Sequence, residues 1–79
     1  MVTVYAIVSE LNGVVYVGIA TDPDIRLKQH NAGKSIFTKR YRPWRIFYKE
    51  QQPDWPSARK REKYLKSGIG KEFLKSLVP

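Results

Sequence analysis

Apolar residues fall into short blocks separated by turn formers, and the blocks carry different periods. Residues 2–8, VTVYAIV, are almost all β-branched or aromatic, which predicts a strand. Asn12-Gly13 follows, a dipeptide suited to a tight hairpin because both residues tolerate a positive φ. Residues 14–19, VVYVGI, predict the return strand. With Asn12 and Gly13 as the two central turn residues, Val8 faces Val17 and Ala6 faces Ile19. Alternation then puts Val4, Ala6, Val8, Val15, Val17 and Ile19 on one apolar face, the expected core. Tyr5 and Tyr16 share the opposite face with Thr3, Ser9 and Gly18. A glycine inside a strand weakens it unless something must approach closely there, which marks Gly18.

Asp22-Pro23 predicts the start of a helix, with Asp as cap and Pro in the first turn. The helix is expected to reach Asn31 and to be ended by Gly33. Residues 34–43, KSIFTKRYRP, read as a basic loop, and Trp44 to Gln51 as a third strand. QPDWP is a turn. A second helix is expected from Pro56 to Ser67, broken at Gly68, and a short last helix from Lys71 to Leu77. The order ββαβαα predicts an α+β fold, a small three-stranded antiparallel sheet flanked by helices, with residues 1–79 as one domain.

Charge changes the picture next. Residues 1–25 hold three acids and no Lys or Arg, whereas residues 26–79 hold all fifteen bases and four acids, a charge of +11. Such a field attracts polyanions, so nucleic acid is the expected partner. With no Cys and one His, disulfides, thiolate zinc sites and two-His metal motifs are excluded. The apolar runs are too short for a membrane span, and MVTVYAIV lacks the basic stretch of a signal peptide. The expectation is a cytoplasmic protein that does not engage membranes.

Several side chains carry candidate chemistry. Tyr5 and Tyr16 project two phenols from one side of the hairpin; the competing reading is that they pack under helices. Arg26 and His30 lie four apart on the first helix and so share a face. A forked permanent cation beside a group that moves protons near neutral pH suits phosphate handling. On the second helix Ala58, Leu65 and Ile69 form an apolar stripe, and Glu62 lies on it. An inward carboxylate is costly unless it is paired, for instance with Arg61, or holds a metal. Lys34, Lys39, Arg40 and Arg42 alternate with Phe37, Tyr41 and Trp44, the ingredients of a nucleic-acid track. Core packing is the competing role for Phe37 and Trp44.

Thr3-Val4-Tyr5, followed after ten residues by Tyr16-Val17-Gly18, resembles the signature of the GIY-YIG nuclease superfamily. RLKQHNAGK from Arg26 to Lys34, Tyr41-Arg42-Pro43-Trp44 and Ala58-Arg59-Lys60-Arg61-Glu62 extend the match over nearly the whole chain. The chain is similar to the small stand-alone members. The resemblance implies a DNA endonuclease in which Glu62 holds one Mg²⁺ or Mn²⁺ and Arg26 stabilises phosphate charge. Tyr16, assisted by Tyr5 or His30, is the implied activator of water, and His30 is the rival base. Thr3 replaces the first Gly of the signature, and Ile19 stands where some DNA-repair members carry Lys. A non-catalytic nucleic-acid-binding module and a partner-dependent nuclease subunit are the alternative readings.

Overall fold

The N-terminal β-branched run becomes the central strand of the sheet. The computed structural model describes residues 1–78. Strand β1 (Val2–Ser9) lies between β2 (Val15–Ala20) and β3 (Trp44–Gln52), and both pairings are antiparallel. Helices α1 (Pro23–Asn31), α2 (Trp55–Leu65) and α3 (Gly68–Leu77) complete the order ββαβαα. Every residue of β1 is buried, so both of its faces are covered. On one face Val4, Ala6 and Val17 pack with Ala58, Leu65 and Leu74 of α2 and α3. On the other, Tyr5, Ile7 and Trp44 form a second cluster with Tyr16, Leu27 and Tyr41 beside it.

The hairpin register differs from expectation by two residues. Val8 faces Val15 and Ala6 faces Val17, rather than Val17 and Ile19. The cause is a longer loop, Glu10 to Gly13, closed by the Gly13 amide donating to the Ser9 carbonyl at 2.9 Å, with Gly13 at φ +78°. An even offset leaves every side chain on its expected face, so Tyr5 and Tyr16 remain together. A bulge in β3 matters as much: Ala6 faces Tyr48 but Ile7 faces Ile46. The extra residue lets Trp44 and Ile46 join the tyrosine face while Tyr48 joins the valine face.

Helix α1 starts as expected, with the Asp22 carboxylate accepting from the amides of Asp24 and Ile25, both at 3.1 Å. Asn31 at its end ties it to β3: its amide donates to the Trp44 carbonyl at 3.0 Å and accepts from the Trp44 amide at 2.6 Å. The basic loop is not wholly irregular, because Thr38–Tyr41 forms a 3-10 turn. Helix α2 spans Trp55–Leu65 rather than Pro56 to Ser67, and α3 begins at Gly68 rather than Lys71. Ser67 is the reason, since its hydroxyl accepts from Gly70 N at 3.4 Å and caps the new helix. The axis turns there, so Ile69 leaves the stripe of Ala58 and Leu65 and is 73% exposed. A Cβ at Gly70 would lie 2.2 Å from the Tyr64 carbonyl oxygen, so only glycine permits this tight α2–α3 junction. Among the described residues no helix is long and apolar enough to cross a membrane.

Candidate active site

The site is assembled on the tyrosine face around a buried chain of polar groups. The Tyr5 hydroxyl lies 3.0 Å from His30 Nε2, and His30 Nδ1 lies 2.8 Å from Thr38 Oγ1. The Thr38 carbonyl in turn accepts from Trp44 Nε1 at 2.7 Å. Tyr5 is 1% exposed, while His30 and Thr38 are fully buried. Burial, and then the Arg26 charge, hold the imidazole below its ordinary pKa, so it is neutral at pH 7. The Tyr5 phenol is pushed up to about 12, first by burial and then by Tyr16, with Glu62 adding to the rise and Arg26 opposing it. A protonated phenol and a hydroxyl, each able to donate or accept, thus hold the two nitrogens of a neutral imidazole, one on each side.

Gly18 explains how the phenol fits. It pairs directly with Tyr5 across the strands, and a Cβ there would lie 2.6 Å from the Tyr5 hydroxyl oxygen. The close approach expected at this glycine is that of Tyr5 itself. Tyr16 is half-buried, its ring 5.2 Å from that of His30 and 5.9 Å from that of Phe37. Arg26 projects from α1 into the same region, with Nη1 donating to Gln29 Oε1 at 2.7 Å.

Glu62 arrives from the other side of the sheet. Helix α2 packs on the valine face, yet Lys66 Nζ lies 5.9 Å from the centroid of the Tyr16 ring. The two residues therefore meet around the edge of β2, the outer strand. Glu62 pairs with Lys66 at 3.3 Å, and its charge acts on Tyr5. The structure thus gathers Tyr5, Tyr16, Arg26 and His30 into one region, and Glu62 reaches its rim through Lys66. Arg61 is not the partner of Glu62: it binds Glu50 on β3 at 2.8 Å, a carboxylate that also accepts from Tyr48 and Gln52.

Lys34, Lys39, Arg40 and Arg42 are all exposed and border the cluster through an edge-on aromatic chain from Tyr16 to Phe37, Tyr41 and Trp44. Trp44 is core, whereas Phe37 stays half in solvent. The Arg42 guanidinium lies over Gly33, where a Cβ would come within 2.5 Å of it.

Two residues escaped sequence reasoning. Thr38 sits among exposed cations, and only the burial of His30 reveals its role. Lys66 lies one helical turn beyond Glu62, which was its only signal; it brings a cation to Tyr16 that position 19 does not supply.

Among the described residues no three His, Cys, Asp or Glu side chains group as a metal cage. The donor set is one half-buried carboxylate whose ion partner is a half-exposed lysine. That suits a hard divalent cation that keeps most of its water, and it does not suit zinc.

Comparison with known proteins adds ancestry. The family described as GIY-YIG catalytic domain matches residues 1–73. A UPF0213 protein of Streptococcus sanguinis (strain SK36) is 38% identical over 56 residues, covering 70% of this chain and 64% of that protein. The chain thus spans less than two thirds of the length of that curated relative. The solution NMR structure of a UPF0213 protein from Bacillus halodurans superposes with a TM-score of 0.57 at 33% identity. That match covers 98% of this chain and 85% of the other.

Proposed function

Because the chain belongs to the GIY-YIG family, whose members are in general nucleases acting on DNA, we propose that it is a metal-dependent DNA endonuclease. Glu62 would hold Mg²⁺ or Mn²⁺. Such an ion, when bound, stabilises the departing oxygen of the cleaved phosphodiester. Arg26 neutralises charge on the non-bridging phosphate oxygens and orients the phosphate as a fork. Tyr16 takes the proton of the attacking water, since it is the phenol of the pair that reaches solvent, and the Lys66 ammonium stands 5.9 Å from its ring centroid. His30 is sealed behind Tyr5, so it acts as a positioning residue that holds the Tyr5 hydroxyl and fixes the floor of the cleft. Lys34, Lys39, Arg40 and Arg42 would carry flanking phosphates.

The observation that carries this reading is a convergence of side chains: the Tyr5 hydroxyl bonds to His30 of α1, Tyr16 of β2 lies edge-on to that imidazole, and Lys66 beside the Tyr16 ring pairs with Glu62 of α2. Four elements must converge for that to happen. The test is cleavage of labelled single- and double-stranded DNA with Mg²⁺ or Mn²⁺, comparing wild type with Glu62→Ala. Metal-dependent cutting by wild type alone supports the enzyme. Binding without cutting under every condition overturns it in favour of a non-catalytic module.

A further inference from the structure

A groove of about 590 Å³ opens between β2 and the α2–α3 pair, on the side of Tyr16 away from the buried histidine chain. Its size is that of a site for a small organic group. Val15, Val17 and Leu74 give it apolar walls. Lys66, Lys71 and Lys75 line it too, and none of its lining residues is acidic. Lys71 and Lys75 are four apart on α3, so they share a face with a rise of about 6 Å between them. That separation is comparable to the step between neighbouring phosphates of an extended strand. Tyr16 and Lys66 belong both to the groove and to the cluster around Tyr5, which makes the two continuous.

We infer that this groove is a substrate subsite for an unpaired nucleotide next to the scissile phosphate. Its base lies against the partly buried Val15, above the core residue Val17, and its phosphates lie on Lys71 and Lys75. The placement beside the scissile bond rests on the nuclease reading. The occupancy of the groove by an unpaired strand does not. Duplex DNA offers a groove of this kind only phosphates, because its base faces are stacked. An unpaired base brings an apolar surface that the valines reward, and a polyanion matches the three lysines. An apolar peptide would gain from the valines alone and would leave the cations unanswered.

The experiment uses the whole chain with a chelator present, so that binding is read without cleavage. Labelled oligothymidylate and a blunt duplex of the same length are titrated into wild type and into Lys71→Ala/Lys75→Ala. A control, Lys28→Ala/Lys60→Ala, removes two exposed lysines outside the groove. The groove variant is expected to bind oligothymidylate about tenfold more weakly and to lose about 1.4 from its salt slope, two single-strand phosphate contacts. The control loses less, the duplex discriminates less between the variants, and the amide resonances of Val15 and Val17 shift when oligothymidylate binds wild type. Equal weakening by the control, or unmoved Val15 and Val17 resonances, overturns the subsite. Adding Mg²⁺ separates the two readings. Wild type that fills the groove but never cuts overturns the nuclease and leaves the subsite standing. A groove variant that cuts with unchanged KM overturns the subsite and leaves the nuclease standing.

Discussion

Tyr5 and His30 are joined at 3.0 Å in a place that water does not reach, and burial shifts the pKa of both. An imidazole whose folded pKa lies below its unfolded value of 6.5 binds fewer protons in the native state. Linkage then gives stability that is complete above 6.5 and lost as pH falls from there toward the folded pKa. Thermal unfolding followed between about pH 7.5 and pH 5.5, one unit on either side of a free imidazole, is expected to show falling Tm on acidification. His30→Gln should flatten that slope. A slope that survives the substitution would assign the proton uptake elsewhere.

Glu50 governs a second, more acidic window. Burial works to raise its pKa, but hydrogen bonds from Tyr48, Gln52 and Arg61 and the Arg61 charge bring it below its ordinary value of 4.5. Its folded pKa is depressed, so its contribution is present above 4.5 and disappears as pH drops through the folded value. Glu50→Gln is expected to remove this acid-side loss while leaving the histidine window intact. Urea titrations at a series of acid pH values separate the two.

Thr38 holds the far nitrogen of the same imidazole. Thr38→Val keeps the shape and removes the hydroxyl, which leaves a buried ring nitrogen without a partner. The expected cost is about 1–3 kcal/mol in unfolding free energy. Cleavage should fall through kcat with little change in KM, and Thr38→Ser should restore both. Failure of serine to restore activity would show that the methyl packing, not the hydrogen bond, is what matters.

Lys66 ties Glu62 to Tyr16. As a half-exposed ion pair it is worth about 0.3–0.5 kcal/mol, so Lys66→Ala should hardly move stability. Its effect belongs to chemistry: without the cation beside Tyr16 and Glu62 the site loses positive charge where the phosphate is handled, and kcat should fall. Glu62→Ala should instead abolish metal-dependent cleavage at every pH while the protein stays folded. An unchanged kcat after Lys66→Ala would remove this cation from the chemistry.

Gly18→Ala tests the packing of the cleft. The added methyl meets the Tyr5 hydroxyl carbon and oxygen at 2.7 and 2.6 Å, and the ring has the buried histidine behind it. Overpacking of this kind is expected to cost about 1–3 kcal/mol. Urea unfolding measures it, and a shift in the near-ultraviolet tyrosine signal would report the displaced ring.

The sequence made the hairpin, the Asp22 cap and the pairing of two phenols legible because those follow from residue-by-residue alternation and capping chemistry. It hid what depends on neighbours distant in the chain. His30 reads as an exposed helix residue until Thr38 and Tyr5 are seen around it. The α2–α3 break reads as a helix continuing to Ser67, because nothing local announces that Ser67 caps a new helix or that Gly70 lets Tyr64 approach. Glu62 reads as an inward carboxylate in need of Arg61, yet Arg61 is taken by Glu50, which sits across from Val4 on the third strand. The bulge that sorts Trp44 from Tyr48 carries no glycine or proline to mark it.

The pairing of Gly18 with Tyr5 has a further use. Sliding β2 along β1 by two positions would keep every valine with the valines and every phenol with the phenols, so burial alone barely penalises the mistake. In that slipped arrangement Tyr5 would stand opposite Ala20, and Ile7 would waste the empty notch. The missing side chain thus serves as an index mark, the one spot where an otherwise repetitive ribbon recognises its correct alignment.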